Sequence, residues 1–73
     1  MTIKLNTIED VYKFVDLAMQ LGSNVDIRQK YYIVNGKSIL GIFSLDLTQP
    51  VQLILNSGDY SKFEQFKYEG EVG

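Results

Sequence analysis

Residues 8–21 carry the pattern that most limits the fold of this chain. Ile8, Val11, Val15 and Ala18 recur at helical spacing, and Phe14 and Leu21 widen the same stripe. Thr7 and Asp10 stand in the Ser/Thr-x-x-Asp/Glu relation of a capped helix start, and Glu9 and Asp10 suit the positive end of a helix dipole. Gly22 is the expected C-terminal stop. The spacing predicts an amphipathic helix of about four turns. One such helix has a single apolar face and needs another layer to bury it.

The rest of the chain reads mainly as β-structure. "TIKL" (2–5) alternates in the β manner. In "SNVDIRQKYYIVNG" (23–36), Val25 and Ile27 alternate with Asp26 and Arg28, and a turn is expected near Gln29-Lys30. The β-prone run "YYIV" follows, ended by the turn pair Asn35-Gly36. Ser38 is placed to cap a short helical run from Ile39 to Leu45. "VQLIL" (51–55) reads as a strand with Val51, Leu53 and Leu55 on one face. Asn56 to Asp59 form a turn, and "YSKFEQFKYE" (60–69) is expected as a closing helix faced by Tyr60, Phe63 and Phe66 or Lys67. The tail 69–73 is expected to fray.

The order is therefore β-α-β-β-α-β-α, without internal repeats or linkers. Too few helices are present to cover both faces of a four-stranded sheet. An α+β open-faced sandwich is expected, with a four-stranded antiparallel sheet and its helices on one face. At 73 residues the chain holds one domain, 1–73, which buries only about 60% of its unfolded surface. An apolar content of 45% suffices for a core.

What is missing excludes much chemistry. There is no cysteine, hence no disulfide and no thiolate. There is no histidine, hence no imidazole base, shuttle or nucleophile. The carboxylates show no metal-loop spacing, and no phosphate-binding glycine pattern occurs. Neither a catalytic site, a metal nor a cofactor is expected. Net charge is -2, and the seven Lys and Arg residues are dispersed, so nucleic acid is not an expected partner. No apolar run approaches the roughly 20 residues that span a bilayer, and "MTIKLNTIED" lacks a signal-peptide layout. The expected location is cytoplasmic, with no membrane partner.

The element order, with "GKSILGIFSL" at the start of the second helix, resembles HPr, the small phosphocarrier of the bacterial sugar phosphotransferase system. That family shows Lys-Ser-Ile-Met-Gly-Val-Met-Ser-Leu at this place. Lys37, Ser38, Ile39, Gly41, Ser44 and Leu45 match it, while Leu40, Ile42 and Phe43 are apolar replacements. The spacing runs without a gap from near Leu21 to near Leu55, so the resemblance covers about half the chain closely and most of it loosely. One departure is decisive for activity. The family carries phosphate on a histidine at the start of the first helix, followed by Ala-Arg-Pro. Here that place holds Asn6-Thr7-Ile8-Glu9-Asp10, and the preceding loop is several residues shorter. Histidine phosphotransfer is therefore not expected, and Thr7 is read as a cap.

Ser38 has two compatible readings. It is a helix cap, and by the resemblance it is also a candidate for regulatory phosphorylation, with Lys37 beside it. Ile39, Leu40 and Phe43 read equally as core and as the patch by which HPr proteins dock on partners; Ile42 and Leu45 are better core candidates. Arg28, Lys30 and Lys37 read as a solvated basic face, with an anion or acidic-partner site as the alternative. Strand propensity and core packing account for Tyr31-Tyr32.

Together these point to a non-catalytic, HPr-like regulatory or protein-binding domain. Its expected protein partner, reached through Lys37, Ile39, Leu40 and Phe43 of the second helix, is an HPr kinase or a carbon-regulation protein. The alternative is a small-molecule-binding ferredoxin-like β-α-β-β-α-β module.

Overall fold

The computed structural model describes residues 1–56 and 58–70. In chain order the elements are β1 (Thr2–Ile3), α1 (Ile8–Met19), β2 (Val25–Gln29), β3 (Tyr32–Asn35), α2 (Ile39–Phe43), β4 (Val51–Leu55) and a 3-10 helix (Tyr60–Phe66). The strands form one sheet in the order β1-β4-β2-β3, antiparallel throughout, with the helices packed on one face. This is the expected open-faced sandwich. It is not the ferredoxin-like alternative, whose split β-α-β unit needs parallel neighbours. Here β1 and β3 lie at opposite edges.

Alternation in the strands decides what is buried. Val25 and Ile27 of β2 and Val51, Leu53 and Leu55 of β4 point to the helix side. Val11, Phe14, Val15 and Ala18 of α1 meet them, and Ile3, Leu5, Ile42, Leu45, Phe63 and Phe66 complete the core. Phe14 sits between the rings of Phe63 and Phe66, at centroid distances of 5.1 and 5.7 Å. No polar or charged residue is buried among the described residues.

The start of α1 follows the sequence. Thr7 Oγ1 accepts from Asp10 N (3.0 Å), which satisfies a donor that the helix leaves unpaired, and Asp10 Oδ2 accepts from Asn6 N (3.0 Å), which fixes the chain just before the cap. Its C-terminal end departs from expectation. The helix stops at Met19, and Gln20 is a right-handed cap. Gln20 N and Leu21 N donate to the carbonyls of Leu17 and Ala18, so short-range bonds tighten the last turn and no left-handed glycine is used. Gly22 is therefore not the stop. Ile8 also leaves the core stripe. It sits in the first turn and is 64% exposed.

The β2–β3 turn lies one residue later than expected, at Lys30-Tyr31, with Lys30 at φ 55°, the left-handed region a tight hairpin turn demands. Tyr31 and Tyr32 consequently stand at the hairpin tip, 99% and 69% exposed. Core packing does not account for them. At the hairpin's other end Gly36 is buried against β2. A Cβ there would lie 2.6 Å from Val25 Cγ1, while Gly36 N donates to Val25 O at 2.7 Å. Only a residue without a side chain allows that approach.

Helix α2 is shorter than the run to Leu45, because Ser44 and Leu45 close it with bonds to Gly41 and Ile42. The closing helix is 3-10 and ends at Phe66. Its Asp59 cap accepts from the Ser61 hydroxyl and from Ser61 N, which together hold the Asp59 carboxyl below its usual pKa. Of the tail expected to fray, Glu69 and Gly70 are exposed, and 71–73 lie outside the described residues.

Candidate functional site

The sequence candidates gather on α2 and the loop before it. Ser38 is half-buried at the N-cap, and its Oγ accepts from Gly41 N at 3.1 Å. Gly41 brings α2 close to the sheet. An added Cβ would meet Val34 Cβ at 3.5 Å, and Ser38 Oγ at 3.3 Å. Because α2 has only five residues, its dipole is small and the cap bond is the main local effect at Ser38. Such a cap contributes about 1 kcal/mol.

Lys37 is not a free cation beside Ser38. Its Nζ donates to the carbonyl of Leu21 at 2.8 Å, and its backbone N donates to Asn35 Oδ1 at 2.9 Å. It ties the hairpin end to the end of α1. Lys30 and Arg28 are both exposed on the hairpin, away from that tie. The basic set is thus divided.

The apolar candidates separate by helical position. Ile39 is half-buried and packs on the core. Leu40 points outward, 83% exposed, and Phe43 is 40% exposed. Ile42 and Leu45 are buried as expected.

Sequence reasoning missed a second apolar row. Ile8, Tyr12 and Met19 of α1 are 64%, 53% and 65% exposed, and at 100° per residue they share one flank. Phe14 faces the 3-10 helix on the other flank, and Ile8, at the start of the row, lines a hollow with Leu47 and Thr48, which follow α2. The signal was present in the i, i+4 pair Ile8–Tyr12.

The start of α1 offers an open hollow lined by Lys4, Leu5, Asn6, Thr7, Ile8, Leu47 and Thr48. It does not suit a phosphoryl group. Lys4 Nζ is already shared between Asn6 Oδ1 and the Leu47 carbonyl, both at 3.1 Å, and Glu9 and Asp10 stand at the helix start. Nearby, Asp46 accepts from the Thr48 hydroxyl and backbone N, which holds its carboxyl below the usual range. Among the described residues no three Asp or Glu side chains come together as a metal site, and no helix is long and apolar enough to cross a membrane.

No family model and no curated protein matches the chain. Among solved structures it is similar to Crh, the Bacillus subtilis catabolite repression protein, which is HPr-like and whose crystal structure is a swapped, intertwined dimer. The identity is 26% and the TM-score 0.63, over 86% of this chain and 75% of Crh. The likeness joins the Lys37–Leu45 run and the β1-β4-β2-β3 sheet into one conclusion: the chain has the HPr-like fold.

Proposed function

We propose that this chain is a non-catalytic HPr-like regulatory domain of a bacterial cytoplasm, acting in sugar or carbon regulation by protein contact through α2. The observation that carries the reading is Leu40. A leucine 83% exposed on a short helix, beside a partly exposed Phe43 and the Ile8–Tyr12–Met19 row, is an apolar surface without a structural duty. Leu40 and Phe43 are its centre, Ile39 supports them from below, and Lys37 anchors the loop that presents them. Ser38 is the regulatory site: a phosphate there adds charge next to the docking surface. The likeness to a catabolite repression protein supports the same sphere of action. Histidine phosphotransfer plays no part, since the chain has no histidine and Thr7 caps α1.

The partner class is testable with a purified HPr kinase. Amide shifts of the labelled protein on titration with the kinase are expected to change first at residues 37–43 and at Tyr12. Changes confined to the open face of the sheet, around Arg28 and Ile54, would place docking elsewhere.

A further inference from the structure

The two edges of the sheet are finished differently. Along β1 the chain returns and covers the edge: Lys4 N donates to Phe66 O (2.8 Å), Tyr68 N donates to Thr2 O (2.9 Å), and Ile3 bridges Lys67. Along β3, no further strand pairs among the described residues. Exposed edges are usually blunted by charge, proline or a bulge. Residues 31–36 hold no charged residue and no proline, and the register with β2 is unbroken. Tyr31, Tyr32 and Ile33 are 99%, 69% and 64% exposed in succession.

The hydrogen-bond phase shows which backbone groups are free. Gly36 N bonds to Val25 O, so Val25–Gly36 is a bonded pair. By antiparallel alternation Ile27–Val34 and Gln29–Tyr32 are bonded too. Ile33 and Asn35 therefore turn their backbone groups away from β2. The Asn35 carbonyl accepts from Ser38 N at 3.0 Å. That leaves the Ile33 N–H and C=O and the Asn35 N–H facing out.

We infer that the β3 edge pairs with the β3 edge of a second copy of this chain, antiparallel across a two-fold axis at Ile33. The free groups are self-complementary about that point. Ile33 exchanges both its bonds with the second copy's Ile33, and on either side Asn35, with its free N–H, comes opposite the second copy's Tyr31. Tyr32 then faces the second copy's Val34, an aromatic–β-branched pair on the helix side. No like charges are opposed: the paired stretch is uncharged, and Lys30 falls across from Gly36. Two sheets become one of eight strands. The inference does not depend on the role proposed for α2.

The test is sedimentation equilibrium of the protein and of Ile33→Lys, with Ile33→Val as a control. Ile33 is exposed on the sheet's open face, so lysine is accommodated in the monomer, but the pairing sets two ammonium groups across the axis. The expected result is a monomer–dimer equilibrium with a midpoint between about 10 µM and 1 mM, as suits a small interface. Ile33→Lys weakens it at least tenfold, and Ile33→Val changes it little. Exchange of the Ile33 and Asn35 amides slows as concentration rises. A monomer throughout that range, or a dimer that Ile33→Lys leaves unchanged, overturns the inference.

Discussion

Phe14→Ala is expected to destabilise the protein by about 3–5 kcal/mol, the usual cost of emptying a buried aromatic site. Phe14 is fully buried, and its ring joins α1 to the 3-10 helix through Phe63 and Phe66. Such ring pairs contribute about 0.5–1.5 kcal/mol beyond the area they bury. A chain of this length has about 4–11 kcal/mol of stability at the common 0.05–0.15 kcal/mol per residue. The loss therefore takes a large share of the total. Thermal unfolding followed by circular dichroism should show a midpoint lower by about 12 °C or more, at roughly 4–8 °C per kcal/mol for a domain of this size. A shift of only a few degrees would mean that the 3-10 helix is not held by Phe14.

Leu40→Asp should have the opposite profile. Leu40 makes little use of the core, so the change should alter stability by no more than about 0.5 kcal/mol, as for other surface positions. In contact with a protein partner, the same carboxylate would be buried without a counter-charge. Loss of an apolar anchor together with that penalty is expected to weaken binding to an HPr kinase at least tenfold, which is about 1.4 kcal/mol or more. Lys62→Ala, exposed on the 3-10 helix, is the control and should bind as the parent does. Calorimetric titration measures both. If Leu40→Asp unfolds the domain, Leu40 belongs to the core. If it binds unchanged, the docking surface lies away from α2.

Elements with a strong period were legible in the sequence, and elements set by tertiary contact were not. The α1 stripe from Val11 to Ala18 and its Thr7 cap, the alternation of β4, and the Ser38 cap are local patterns, and each stands where its spacing put it; only Ile8, in the first turn, leaves the stripe. Helix ends and turns depend on which backbone groups find partners. Gly22 resembled a stop, yet short-range bonds at Gln20 and Leu21 closed the helix first. The 3-10 form of residues 60–66 has no signature distinct from an α-helix over so short a run. Tyr31 and Tyr32 misled for a related reason: β propensity reports a fit to pleated backbone, not which edge of the sheet the strand will occupy.

The candidate site was legible in composition and only partly in geometry. The Lys37–Leu45 run drew attention to α2, and residue type alone left Ile39, Leu40 and Phe43 equivalent. Their separation into a half-buried support and two outward side chains depends on the rotation of a five-residue helix about its buried Ile42. Lys37 read as a free charge because nothing in the sequence indicates that Leu21 presents a carbonyl to it. The Ile8–Tyr12–Met19 row needed the position of α2 before its exposure had meaning.

The central claim is that this HPr-like domain is regulated at Ser38 beside a docking helix. Its most direct test is the intact mass of the folded protein after incubation with a Gram-positive HPr kinase and ATP, with Ser38→Ala in parallel. The kinase must release Ser38 Oγ from Gly41 N, a cost of about 1 kcal/mol that does not bar the reaction. The predicted result is the gain of one phosphate, absent in Ser38→Ala. No gain on the folded protein, or a gain that survives the substitution, would contradict it.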